Sequence, residues 1–187
     1  NSLRELRTDR IDLLLIHRPD PLMDADEVAQ ALYELRQAGK VRFFGVSNFM
    51  PWQFNLLQSR LDFPLITNQI ELSPLYLNPL HDGTLDLCQQ RRIVPMAWSP
   101  VGGGGLFIPY DARTQRLHAK LLDLSRALNV GIDQVALAWV MMHPTHPVPV
   151  IGSGKLERVR AAADAVNVKL SRQDWFGIWE ASNGHEV

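Results

Sequence analysis

The strongest constraint on the fold is an alternation that runs the length of the chain. Short runs rich in Leu, Ile, Val and Phe occur at Leu13 to Ile16, Val41 to Val46, Ile66 to Leu72, Ile93 to Trp98 and Val148 to Ile151, and a helical pattern follows each. Repeated βα units on a parallel sheet leave this signature. Asp24 to Ala38 illustrates the helices: Val28, Leu32 and Leu35 fall at helical spacing after an acidic start, and Gly39 is the stop. Further helices are expected over Pro51 to Gln58, Thr84 to Gln90, Asp111 to Leu128, Ile132 to Met142, Lys155 to Ala165 and Ser171 to Ala181. Leu3 to Arg7 read as the tail of a helix begun upstream. No linker or low-complexity segment divides residues 1–187, which read as a single domain, and the repeat is too irregular for a solenoid.

The stretch Asp12 to Asp20 locates the chemistry. Its apolar run suits a strand covered on both faces, and Pro19, which has no N–H for a ladder, ends it. His17 therefore stands at the carboxyl end of a parallel strand, where α/β sheets and barrels gather ligands and catalytic groups. The alternative is a core histidine bonded to a carbonyl.

Composition narrows the function classes. With 187 residues, 46% of them hydrophobic, the chain can bury a substantial core. A net charge of −1 with mixed signs gives no footprint for nucleic acid or an anionic membrane. The single cysteine, Cys88, excludes an internal disulfide framework and fits a reducing compartment. No apolar run approaches the roughly 20 residues of a membrane helix, and residues 1–10 lack the apolar core of a signal peptide. A soluble, cytoplasmic protein is expected.

Five βα units could form an open doubly wound sheet, but such a domain opens with a strand and a glycine-rich turn. Neither is present here. The five units fit the second part of an eight-unit barrel whose first three strands precede residue 1. The strands from Asp12 and Val148 would then be edges, which upstream chain or an associated copy is expected to cover.

Four motifs carry a family resemblance: Leu6-Arg-Thr-Asp-Arg-Ile-Asp-Leu-Leu-Leu-Ile-His-Arg-Pro-Asp20, Gly45-Val-Ser-Asn-Phe49, Asn68-Gln-Ile-Glu-Leu-Ser-Pro74 and Ala97-Trp-Ser-Pro100. In this order and spacing they resemble the aldo-keto reductases, in their bacterial oxidoreductase form, over essentially the whole chain. The resemblance implies a (β/α)8 TIM barrel, with this chain covering barrel strands four to eight. It also implies a metal-free, NADP-dependent enzyme that moves hydride between NADPH and the carbonyl of an aldehyde or ketone. Of the family's catalytic Asp, Tyr, Lys and His, only the histidine is matched, by His17, so this chain alone lacks the proton donor.

The cofactor half is better represented. The resemblance assigns Ser47, Asn48 and Gln69 to the nicotinamide carboxamide, since such side chains offer a planar amide both donors and acceptors; a strand-end Ser-Asn can also simply cap the next helix. Trp98 matches the aromatic on which the nicotinamide stacks, usually tyrosine, with a core aromatic as the alternative, and Ser99 follows it. Gly102 and Gly103, in the run Gly102 to Gly105, lie in the loop that crosses the pyrophosphate, where glycines let N–H groups face phosphate oxygens. Ser153 and Arg158 match the 2′-phosphate site; the family's lysine is replaced by Gly152, with Lys155 a substitute cation, which leaves NAD open beside NADP. Ala161 and Ala162 stand where an acid-amide pair often meets adenine.

The remaining residues carry weaker signals. His143 and His146 flank Pro144 and are not expected to form a metal site; His81 and Asp82 are expected in solvent, Cys88 buried, and Glu71 is given no role. A carbonyl compound is the expected partner, without nucleic acid or membrane, and the oligomeric state stays open. Two other readings remain: a non-catalytic, nucleotide-binding regulatory subunit, and a truncated barrel fragment.

Overall fold

A computed structural model describes residues 1–185. Its elements run α1 (Ser2–Leu6), β1 (Ile11–Ile16), α2 (Ala25–Gln37), β2 (Val41–Ser47), α3 (Pro51–Gln58), β3 (Leu65–Glu71), α4 (Thr84–Arg91), β4 (Met96–Trp98), α5 (Ala112–Leu128), α6 (Ile132–Met141), β5 (Val148–Pro149), α7 (Leu156–Asp164) and α8 (Arg172–Asn183). The five strands form one sheet in sequence order, and every pairing is parallel. All carboxyl ends therefore lie on one rim.

Two apolar clusters back the sheet. Phe44, Val46, Leu65, Phe54, Leu57 and Leu32 join β2 and the start of β3 to α2 and α3. Ile70, Leu72, Ala97, Leu117, Leu121, Trp139 and Ile178 join β3 and β4 to α5, α6 and α8. Strand side chains alternate between faces, so Gln69, Glu71, Met96 and Trp98 look away from the second cluster, toward the side where a closed barrel has its interior.

A register shift aligns that face. Phe44 pairs with Leu65 but Val46 with Asn68, so β3 spends one residue more than β2 over this step. Since a one-residue slip exchanges faces, Leu65 can pack with the first cluster while Ile70 packs with the second. Gln69 is thereby brought opposite Ser47. Gly45 sits within the shift, where a Cβ would come 2.7 Å from Leu15 Cδ2 and 2.8 Å from the Thr67 carbonyl oxygen.

Several elements differ from their expected extents. β4 starts at Met96 rather than Ile93 because Arg92, at φ 55°, closes α4 and Ile93 N–H returns to the Cys88 carbonyl; Pro95 then has no N–H to give. β5 is two residues long, although the Val150 N–H still reaches the Ala97 carbonyl at 2.8 Å. β1 is not covered on both faces: none of its residues is fully buried, Ile11, Leu14 and Ile16 pack against the first cluster, and the strand pairs along one edge only, with β2. Asp82 is not merely solvated either; its carboxylate accepts from Thr84 N–H at the start of α4, and the exposed His81 ring lies 5.3 Å from that of Trp179, tilted by 58°.

Candidate functional site

The site is built at the carboxyl rim. His17 directly follows β1 and is exposed; Ser47 ends β2 and Asn48 directly follows it, Gln69 lies near the end of β3, and Trp98 ends β4. Three strand spacings separate β1 from β4, roughly 14 Å along the sheet. A dinucleotide and a small substrate can span that distance.

Ser47 and Asn48 do not cap the next helix. The N-cap of α3 is Met50, whose N–H is met by Gln53 Oε1, while the Ser47 hydroxyl donates to the Gln69 carbonyl at 2.9 Å. The Asn48 backbone N–H goes to the same carbonyl at 2.9 Å. Its side-chain Nδ2 donates to Ser47 Oγ at 3.1 Å, and its Oδ1 accepts the Trp98 indole N–H at 2.8 Å. Trp98 is partly exposed, so it is not a core aromatic. One hydrogen-bonded chain thus links the ends of three strands.

The backbone is held in an uncommon form at two of these residues. Among the described residues, positive φ at non-glycine positions occurs at six sites, of which Arg7, Arg92 and Asn129 are helix C-caps. Asn48 (φ 59°) and Ser99 (φ 49°) stand instead at strand ends on the rim. Such conformations persist where the surroundings enforce them, and they gather at functional sites. The enforcing residue beside Asn48 is Asn68, fully buried, whose Nδ2 donates to the Phe49 carbonyl at 2.7 Å and whose Oδ1 accepts from the Phe49 N–H at 3.4 Å.

From Ser99 the rim continues into a groove of about 720 Å³. Its lining brings together Ser99, Gly103 and Gly104 from the segment after β4, the apolar Phe107 and Ile108, and Ser153 and Arg158 from the segment after β5. Gly103 (φ 61°) and Gly104 (φ 94°) face open space, with no atom within 4 Å of where a Cβ would stand. A long ligand with a polar ring at one end and anionic groups at the other fits this surface: amide and hydroxyl groups at the rim, bare backbone at the glycines, a serine and a guanidinium at α7. The chain's own residues therefore suit a nicotinamide dinucleotide.

Comparison with known proteins identifies the family. The model of the aldo/keto reductase family matches residues 1–183. The chain belongs to the aldo-keto reductase family. It is 58% identical over 187 residues to the oxidoreductase YdhF of Escherichia coli and 48% identical over 186 residues to a 6-dehydroglucose reductase of Agrobacterium fabrum, aligning over its whole length in both. Among solved structures, the thermostable aldo-keto reductase Tm1743, crystallised with the inhibitor epalrestat, superposes with a TM-score of 0.86 at 27% identity over 96% of this chain. The chain spans 62% of the length of each of those two relatives and 63% of that structure.

The remaining predicted residues of this aldo-keto reductase chain take distinct places. Gly102 is not among the groove-lining residues; its positive φ and the Leu75 side chain, 2.6 Å from a Cβ position, account for the glycine. Contrary to the expected array of free N–H groups, Gly102, Gly104 and Gly105 donate to the carbonyls of Ser99, Val101 and Gly102, closing a 3₁₀ turn; the Gly103 N–H takes no part in these bonds. Lys155 N-caps α7 outside the groove lining, and its backbone N–H donates to Ser153 Oγ at 3.2 Å. Ala162 lines the groove, whereas the Ala161 carbonyl is taken by Gln134 Nε2. Burial raises the carboxyl pKa of Glu71, which pairs with Trp98 in the ladder. No group of three or more His, Cys, Asp or Glu among the described residues could hold a metal, and no helix there is long and apolar enough to cross a membrane.

Sequence reasoning misses Asn68, Phe107, Ile108 and Asp133. Asn68 adjoins the recognised Gln69 but reads as an ordinary strand residue. Phe107 and Ile108 had one available signal, two large apolar residues shortly after a glycine run. Asp133 lies in the first turn of α6 and reaches the groove only through the fold.

Proposed function

We propose that the protein is an NADP-dependent oxidoreductase that exchanges hydride between NADPH and the carbonyl of an aldehyde or ketone. In this reading the chain forms barrel strands four to eight, and further chain in the intact protein pairs with β1 and β5 and brings the acid, lysine and aspartate of the site. The observation that carries it is the continuity of the Ser47–Asn48–Gln69–Trp98 rim, through Ser99, with the groove that ends at Ser153 and Arg158.

When bound, the nicotinamide supplies the hydride. The chain's own residues do the placing: Asn48, Ser47 and Gln69 fix the carboxamide, so that one ring face is presented, and Trp98 backs the ring. Ser153 and Arg158 hold the 2′-phosphate; a guanidinium can meet two phosphate oxygens at once, which a lysine point charge cannot. His17, across the rim, holds and polarises the carbonyl oxygen. NADP is preferred over NAD because Arg158 has a partner only in the former. The protein acts in the cytoplasm on a small carbonyl compound. The name of the Agrobacterium relative makes oxidised sugars the first class to screen.

The test is NADPH consumption by the intact protein against a panel of aldehydes, ketones and oxidised sugars. Turnover of at least one, reduced by two orders of magnitude or more in His17→Ala with NADPH affinity kept, supports the reading. Tight NADPH binding without turnover of any carbonyl favours a regulatory subunit instead.

A further inference from the structure

We propose that Trp98 is a positioning residue: its indole N–H locks the Asn48 amide in the orientation that lets the rim accept a carboxamide and reject a carboxylate. The inference rests on the nicotinamide reading of the site and adds the device that sets the polarity of its recognition.

Donors and acceptors at the rim can be counted one by one. An indole nitrogen can only donate, so the Asn48 atom 2.8 Å from Trp98 Nε1 must be the amide oxygen, and the orientation of this amide follows from its partner. Its nitrogen is then directed to Ser47 Oγ, 3.1 Å away. A hydroxyl has one hydrogen, and that of Ser47 is committed to the Gln69 carbonyl at 2.9 Å, so Ser47 meets Asn48 as an acceptor. Where Asn48 and Ser47 meet, what stays uncommitted is one N–H of Asn48 Nδ2 beside one lone pair of the Ser47 hydroxyl; the second lone pair of Asn48 Oδ1 lies on the Trp98 side, and the Gln69 amide, opposite Ser47, adds a donor and an acceptor of its own. A donor beside an acceptor complements a carboxamide, which offers a carbonyl and an N–H. A carboxylate offers only acceptors and would set an oxygen against the Ser47 lone pair, and an unpaired polar contact of this kind is what site specificity is built from.

Without the indole N–H the Asn48 amide keeps only its bond from Nδ2 to Ser47 Oγ, which a turn of the Ser47 hydroxyl reverses. Its two faces have similar shape, and a flip would turn its oxygen toward Ser47 and undo the polarity. Beyond these two side-chain bonds Asn48 is held through its backbone, by the bond to the Gln69 carbonyl and by the φ of 59°.

The experiment measures dissociation constants of the intact protein for NADPH and for its analogue bearing nicotinic acid in place of nicotinamide. The variants are Trp98→Phe, which keeps an aromatic ring and loses the N–H, Asn48→Gly, which removes the amide at a φ that glycine tolerates, and their combination. Wild type should bind the carboxamide form at least tenfold more tightly. Trp98→Phe should bring that ratio within threefold, and Asn48→Gly should do the same, with no further change in the double variant. Asn48→Asp, which still accepts from the indole but has lost its donor, should abolish the ratio too and gives a second route if Trp98→Phe is poorly folded. A wild-type ratio retained in Trp98→Phe overturns the assignment alone, as does an equal effect of that change with and without Asn48. Failure of wild type to bind either dinucleotide overturns both the assignment and the cofactor reading beneath it.

Discussion

Trp139 and Trp175 each give an indole N–H to the other's backbone carbonyl, both at 3.0 Å, with the rings 5.0 Å apart and 8° from parallel. The pair ties α6 to α8 inside the larger cluster, with Phe176 and Trp179 packed edge-on against Trp175 or stacked on one another. Trp175→Phe keeps an aromatic ring but strips the Trp139 carbonyl of its donor. Leaving a buried acceptor unpaired costs about 1–3 kcal/mol. Urea unfolding should show a lower midpoint with an unchanged slope, and NADPH affinity of the folded protein should stay as it was.

Cys88 is fully buried in α4, and burial pushes its thiol up to about 12. Reactivity follows the thiolate. A thiol reagent should leave the native protein unmodified at neutral pH and react with one equivalent in urea. Rapid labelling without denaturant would show that α4 opens.

The carboxyl of Asp174 is held below its ordinary value, first by the Ser171 hydroxyl and then by the Ser171 N–H, in the capping box that starts α8. A depressed folded-state pKa contributes stability that is present above the unfolded value and lost as pH falls through the folded one. Ser171→Ala should therefore destabilise the protein at neutral pH, and part of that loss should vanish below the unfolded Asp value of about 3.9. Urea midpoints across the acid range decide this. A constant difference would mean that the cap acts through its backbone bond alone.

At the phosphate end of the groove the expectation is asymmetric. Arg158→Ala should weaken NADPH at least tenfold, roughly 1.4 kcal/mol, and leave NADH nearly unchanged. Lys155→Ala should do less, because Lys155 lies outside the groove lining. Equal losses for the two cofactors on removing Arg158 would remove the 2′-phosphate from its role.

How far the fold was legible follows from where its signals lie. The order of strands and helices, and the rim positions of His17, Ser47, Asn48, Gln69 and Trp98, follow from apolar runs that end in polar residues, because a parallel sheet puts all such ends on one side. A hydrophobic run overstates the length of β4, since it says nothing of the left-handed turn at Arg92 or the N–H missing at Pro95. The shift that aligns Gln69 with Ser47 was invisible, being a matter of how two strands pair rather than of either strand's pattern. So was the bond between Trp98 and Asn48, fifty residues apart. The groove wall draws Phe107, Leu137, Val150 and Arg158 from four separate segments, and no local pattern announces such convergence.

Rim and groove should receive one ligand together. Hydrogen–deuterium exchange of the intact protein, with and without saturating NADPH, reads both at once. Exchange should slow simultaneously at the ends of β2 and β4, over residues 99–108 and over the first turn of α7, with α2 and α4 unchanged. Protection confined to one of those segments, or its absence from all of them while NADPH is bound, would contradict a single continuous site.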